Sequence, residues 1–367
     1  MKIRPKDTAN KLRARVLSLG WSPYSHLFLK DDGSTWVLSA EMRALTDICG
    51  RLPIQTEDAR MLPYVKQQAV FYASRYELLL SDVWKVSTHH LATAYFHGKP
   101  GTTSEPVFDE IYGTLKRAHP HIQRIQVSHS EMRDVVLSTG VDPQKVFLIP
   151  VGIDIEAFQM QTVETKKTAR SRFGIPESAV VVGSFQKDGV GWEEGNEPKL
   201  IKGPDIFLSV INLLKQQVPE LFVLLTGPAR GYVIRGLQER NVPFKHIQFE
   251  NNHAINEAYQ ALDLYMVASR QEGGPKALLE SMAAGVPLVT TRVGQAMDLV
   301  SHGVNAWMTE VENVEGLAYW AQVAMNQDKA DREQMIRAAR KTAEENSYLA
   351  QTPLWRKFME GFVSSVQ

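Results

Sequence analysis

Two glutamates, a Gly-Gly pair beside the first of them, and a few lysines and histidines at loop boundaries are the residues of this chain equipped for chemistry. Glu272-Gly273-Gly274 leads through Pro275 into a run, Lys276 to Ala284, in which Leu278, Leu279, Met282 and Ala283 share one helical face. Glycine lets bare backbone approach a ligand, because no side chain stands in the way. Pro275 suits the first helical position, Gly285 the left-handed residue after the last turn, and Pro287 forbids continuation. A helix N-terminus behind a Gly-Gly loop attracts polar or anionic groups, since its N–H groups point outward without partners. Glu280 lies off the apolar face, beside Ala277 and Ala284 and one turn after Lys276. By spacing alone, a solvated Lys276–Glu280 pair is the plainer account of it.

A second cationic stretch lies upstream. Lys202-Gly203 precedes a helical pattern from Pro204 to about Gln217, and a glycine-rich loop with Gly189, Gly191 and Gly195 comes before it, flanked by Lys187 and Lys199. That loop lacks the Gly-x-x-x-x-Gly-Lys-Ser/Thr spacing of a P-loop, and no strand is followed by Gly-x-Gly-x-x-Gly. His97 closes the apolar run Leu91–Phe96. A histidine at the carboxyl end of a strand is well placed for chemistry, because ligands of α/β sheets gather there. His89 and His90, ahead of the same run, carry less. Ser128 follows the run Arg124–Val127 and reads equally as a ligand residue or as a helix N-cap. Asp154-Ile155-Glu156 has the spacing of a metal clamp but sits at a chain bend, and no His/Cys cluster has zinc-ligand spacing. No metal site is expected.

These residues need a frame. His26–Lys30, Val70–Ala73, Leu91–Phe96, Arg124–Val127, Ala179–Gly183, Leu221–Thr226 and Leu264–Ala268 read as short apolar strands. Helical patterns run from Thr35 to about Gly50, Phe108–Ala118, Pro204–Gln217 and Ile255–Ala261. Strands alternating with helices imply parallel sheets and right-handed crossovers. At 367 residues the chain exceeds one typical core, so two domains are expected.

The formal charge is zero, with 41 basic and 41 acidic residues, which argues against a nucleic-acid partner. One cysteine, Cys49, can form no internal disulfide. The start, Met1 to Asp7, is polar, without the apolar run of a signal peptide, and no 18-residue apolar segment spans a bilayer. A soluble, cytoplasmic protein is the expectation. Residues 8–20 form a candidate amphipathic helix; an ordinary solvated face is its plain account, and peripheral docking to an anionic membrane the sharper one.

Glu272 and Glu280 with seven residues between them, followed by Met282-Ala283-Ala284-Gly285-Val286-Pro287, resemble the signature of retaining glycosyltransferases of family four (glycosyl transferases group 1). Members have the GT-B fold, an α/β architecture of two Rossmann-like domains facing each other across a cleft. The resemblance is continuous from about 178 to 320. In the first half it rests on His97, on Ser128 with Arg133 behind it, and on Ile149-Pro150-Val151-Gly152-Ile153-Asp154, which is similar to the family's hinge. It implies an acceptor-side domain over 1–160, a donor-side domain over 161–345, and a final helix over 346–367 crossing back to the first domain through Trp355, Phe358, Phe362 and Val363.

The implied activity is metal-independent transfer of a sugar, with retention, from a nucleoside diphosphate to a glycan, lipid-linked or small-molecule acceptor. Glu272 then meets the donor sugar, Gly273, Gly274 and Pro275 line it through backbone, and Glu280 holds the ribose hydroxyls. Lys202 grips the diphosphate, His97 positions the sugar, and Ser128 joins the donor contacts. The chain departs from the family in two places. Gly183 is followed by Ser184 where the family has a diphosphate-binding arginine, which leaves Lys187 or Lys199 as substitutes. The first strand also does not begin the chain or lead into a Gly-Gly loop. A sugar-nucleotide epimerase on the same fold, a catalytically silent sugar-nucleotide binder and a Rossmann oxidoreductase, the last disfavoured by the missing Gly-x-Gly-x-x-Gly, are the rival readings.

Overall fold

The computed structural model describes residues 11, 12, 14, 16, 18–31, 37–249 and 254–366; the candidate helix over 8–20 and the loop after Asp31 fall partly outside them. Two compact units emerge, one of Met1–Val151 with Tyr348–Gln367 and the other of Gly152–Ser347.

The first unit is built on a parallel sheet of β1 (His26–Lys30), β2 (Gln55–Glu57), β3 (Ala69–Tyr72), β4 (His90–Ala94), β5 (Ile122–Val127) and β6 (Val146–Leu148), in the order β2-β1-β3-β4-β5-β6. All four residues of β3 and the last four of β4 are buried, as expected of strands covered on both faces. On one face the helix Val37–Arg51 places Met42, Leu45, Ile48 and Cys49 against Leu27 and Phe71. Trp355, Phe358, Phe362 and Val363, from the helix Thr352–Met359 and the residues after it, pack in the same core. The other face takes Ile111, Leu115 and Ala118 of the helix Val107–Ala118. Cys49 is core, and burial pushes its thiol up to about 12, so it is no nucleophile at neutral pH.

In the second unit β7 (Val180–Ser184), β8 (Leu221–Thr226), β9 (Phe244–Ile247), β10 (Leu264–Val267), β11 (Leu288–Thr291) and β12 (Trp307–Thr309) pair in the order β12-β11-β10-β7-β8-β9. Counted from β7 this is the 3-2-1-4-5-6 order of dinucleotide-binding folds, whose direction reverses between β7 and β10. There Leu264 pairs with Val182 and Tyr265 with Gly183. Leu278, Leu279, Met282 and Ala283 are fully buried in one core cluster with Val181 and Leu288. Phe207, Val210, Ile211 and Leu214 of the helix Pro204–Lys215 fill the cluster on the opposite face.

One local reading needs amendment. The helix starts at Lys276, one residue later than the sequence placed it; Pro275 is its N-cap, with ψ 107 and a carbonyl that accepts from Leu278 N at 2.9 Å. Gly285 does end that helix, at φ +73. Asp154 caps a short turn, accepting from Glu156 N at 3.3 Å, which explains its spacing without a metal. The short strands β2, β9 and β12 had no apolar signal strong enough to reveal them, since none is fully buried.

Candidate active site

At the carboxyl ends of β7 and β10 two loops are pressed together. Gly203 has φ +62, and a Cβ there would come within 1.9 Å of Ala268 O, so only glycine permits the approach. Arg270 N and Gln271 N both donate to Ile201 O, at 2.9 and 3.0 Å. The Arg270 guanidinium grips Asp205 with two bonds (2.8 and 2.7 Å), donates to Leu200 O at 2.8 Å and meets Glu312 at 2.5 Å. A planar fork used this way fixes both direction and distance.

The clasp brings Lys202 Nζ to 2.6 Å from Glu272 Oε2. Ser269 Oγ donates to Glu272 Oε1 at 2.9 Å, while Gln186 Nε2 donates to Lys202 O at 2.8 Å. Glu272 is 8% exposed, and Lys202 keeps about a quarter of its side chain open (26%). The carboxylate is therefore aimed from two sides, and its cation still faces solvent. Gly273 is packed from behind: Gln295 N donates to its carbonyl at 3.3 Å, and a Cβ on Gly294 would lie 2.7 Å from that same oxygen. Gly274 and Pro275 follow, half-buried, at the start of the helix.

Glu280 is no solvated helix-surface charge. Tyr259 Oη donates to its Oε2 at 2.9 Å, and Tyr259 packs against Phe185 and Tyr265, with ring centroids 4.8 and 5.2 Å away. Burial raises the Glu280 pKa above the usual carboxylate range, with Lys276 opposing the shift. Tyr265 Oη in turn accepts from Phe185 N at 2.9 Å, which pins the residue after β7.

The glycine-rich loop is a small hairpin: Gly189 bridges Pro198, Val190 N donates to Glu197 O at 2.9 Å, and Lys199 N to Asp188 O at 2.8 Å. Lys187 Nζ stands 4.2 Å over the Trp192 ring. Burial lowers its pKa, and the like charges of Lys199 and Lys202 lower it further. Among the described residues no carboxylate figures in those influences. Under this hairpin lies Arg230, whose guanidinium is wholly buried and donates to Ser184 O (2.6 Å), Thr226 O (2.8 Å) and Asp188 Oδ1 (2.9 Å).

In the first unit, His97 Nδ1 lies 3.2 Å from Arg75 Nη2. Arginine has only donors, so Nδ1 accepts and Nε2 carries the proton. Arg75 itself is 5% exposed, with its guanidinium over the rings of Tyr76 and Tyr95. Ser128 is not the N-cap of the following helix; that is His129, and the Ser128 hydroxyl instead donates to Phe96 O at 3.2 Å, tying the ends of β4 and β5 together next to His97. His89 and His90 are structural: the first accepts from Gln68 N at 3.2 Å, and the second stacks on Tyr24 at 3.5 Å.

The structure thus joins Lys202 to Glu272, sets Lys199 and Lys202 within electrostatic reach of Lys187, and places Ser128 beside the residue before His97. Ser269, Gln186, Tyr259, Arg230 and Asp188 had no signal in the sequence. Among the described residues no three His, Cys, Asp or Glu side chains converge as a metal site, and no helix is long and apolar enough to cross a membrane.

Comparison with known proteins adds a second line. Residues 198–342 match the family model of glycosyl transferases group 1. A D-inositol 3-phosphate glycosyltransferase of Geodermatophilus obscurus is 27% identical over 201 residues, 49% of this chain and 40% of that protein. One from Jonesia denitrificans is 24% identical over 288 residues, covering 73% of this chain and 64% of the relative. The chain spans about half the length of the curated relatives it matches, 40% and 57% for the first two. Among solved structures, Anabaena Alr3699/HepE in complex with UDP and glucose superposes with a TM-score of 0.73 at 16% identity, over 92% of this chain and 99% of that one. A sucrose-phosphate synthase from Thermosynechococcus elongatus gives 0.62 at 18% identity, over 79% and 73%. At such identities the likeness shows the fold, which is GT-B.

Proposed function

We propose that this chain, whose residues 198–342 match the group 1 glycosyl transferases, transfers a sugar, with retention, from a nucleoside-diphosphate sugar to an acceptor. The observation that carries the reading is the Lys202–Glu272 pair at the point where the β7–β12 sheet reverses direction. Ligands of open α/β sheets bind at such a point.

As the bond between sugar and diphosphate opens, negative charge grows on the diphosphate and positive charge at the anomeric carbon. Fixed groups aimed at both charges lower the barrier because they need no reorganisation. In this proposal Lys202, helped by Lys187 and Lys199, takes the diphosphate. Glu272, released from Lys202 as the anion arrives, faces the anomeric carbon. Gly273, Gly274 and Pro275 line the sugar through backbone. Glu280 holds ribose hydroxyls through Oε1, since Tyr259 occupies Oε2. In the first unit His97 is proposed as a substrate contact through Nε2–H, and Ser128 supports its strand end. The lysines supply the positive charge that a divalent ion would otherwise bring, so the reaction runs without metal. Action in the cytoplasm, with membrane contact where the acceptor is lipid-linked, belongs to the same proposal; glycan, lipid-linked and small-molecule acceptors remain within it.

Titration with a panel of sugar nucleotides, followed by an assay for acceptor-dependent release of nucleoside diphosphate, tests the reading. Binding of one donor with acceptor-dependent release is expected. Conversion of the donor with no acceptor present would indicate an epimerase, and binding without turnover a silent module.

A further inference from the structure

Beneath the lysines lies an ion pair that the proposed reaction does not touch. Arg230 and Asp188 are each 1% exposed and meet at 2.9 Å. Burying two charges is expensive, and such a pair often stabilises a fold no better than apolar side chains would. Asp188 Oδ2 has no hydrogen-bond partner among the described residues, so the pair is not perfected for stability. What it does hold is the hairpin 187–199. Lys199 N donates to Asp188 O, Gly231 N to Glu194 O at 2.7 Å, and Tyr232 N to Gly195 O at 3.0 Å. Gly189 and Gly195 press against Ala229, the neighbour of Arg230: a Cβ on either would come within 2.4 and 2.3 Å of Ala229 O. Ala229 itself sits at φ +55, a strained conformation for a residue with a Cβ. Strain, close glycine packing and a buried charge pair are therefore spent on one hairpin, and that hairpin carries a lysine at each end.

We propose that Arg230, acting through Asp188, is a positioning residue that fixes this hairpin so that Lys187 and Lys199 hold the same diphosphate as Lys202. The inference rests on the sugar-nucleotide reading above. Ser184, directly after Gly183, accepts from the same guanidinium through its carbonyl and its hydroxyl, the latter at 3.2 Å. The arginine thus works from below, and the lysines make the contact.

The test uses calorimetric titration with whichever of UDP, GDP and ADP binds tightest, and with its parent nucleoside. Asp188→Asn is expected to weaken the nucleoside diphosphate about tenfold or more, the size of a charge-assisted contact, while nucleoside affinity stays within about twofold. Lys187→Ala should weaken it comparably, and the double variant little further, because residues acting through one another are not additive. Arg230→Lys keeps the charge but loses the fork, and should weaken the nucleoside diphosphate less than Asp188→Asn does; it also serves where Asp188→Asn does not fold. Equal losses for nucleoside and diphosphate, additive effects, or unchanged diphosphate affinity in a folded variant overturn the inference alone. So does failure of both variants to fold, which would make the pair a foundation of the whole unit. If the unaltered protein binds no nucleoside diphosphate, the functional reading falls with it.

Discussion

Two six-stranded parallel sheets sit in one chain, and they handle the same task differently. In the second unit the strand order reverses between β7 and β10, and the loops leaving those two strands carry Lys187, Lys202 and Glu272. Position in the topology and chemistry coincide. In the first unit the reversal falls between β1 and β3, yet the candidate residues His97 and Ser128 follow β4 and β5. The lesson is that a sheet offers several strand ends, and its topology alone does not say which are used. Side chains also differ: the second unit sets Lys187 within reach of two further lysines, whereas the first buries its arginine among aromatic rings next to His97.

The contrast can be broken by measurement. Lys202→Ala should lower turnover by about 100- to 1,000-fold, or ~3 to 4 kcal/mol, with the fold intact by circular dichroism; near-normal turnover would remove the diphosphate role. Gly203→Ala should destabilise by about 3 kcal/mol in denaturant titration, because φ +62 and a backbone oxygen 1.9 Å away leave a side chain no room. Gly101→Ala in the first unit, at φ +80 with nothing within 4 Å, should cost only about 1 to 2 kcal/mol, from the dihedral alone. Equal costs would mean that the loop contact at Gly203 is not the constraint described. His97→Ala should reduce turnover by about 10- to 100-fold, the range of one lost hydrogen bond; a loss matching that of Lys202→Ala would give the first unit equal weight.

The smallest effect concerns pH. Burial raises the Glu280 pKa in the folded state, so between the usual glutamate value and the raised one the folded chain holds a proton that the unfolded chain has lost. Stability then falls as pH rises through that window. Glu280→Gln should flatten the slope, gaining on the parent protein at neutral pH relative to pH 4. A difference between the two that does not vary with pH would contradict a carboxylate whose pKa the fold has raised.

Much of the second unit was legible because its signals are local. Leu278, Leu279, Met282 and Ala283 mark a buried helix face by spacing, and Gly285 marks its end by the one conformation that glycine adopts freely. Residue type told less in the first unit. Ser128 looks like a cap in sequence, yet its hydroxyl reaches Phe96 O, 32 residues away. Arg230 lies 42 residues from Asp188 and 46 from Ser184, and Ser269 lies 83 from Gln186. No periodicity or local propensity encodes such a pairing.

By itself the sequence determined which segments become strands and helices, which helix face turns inward, and which short loops combine glycine with charge. These follow from burial patterns and backbone dihedrals, which act over a few residues. Only the tertiary structure decided that Lys202 meets Glu272, that Glu280 sits under Tyr259 instead of in water, and that a buried arginine supports the lysine hairpin. Those outcomes depend on which strands become neighbours, and the free energy that selects neighbours is summed over the whole unit.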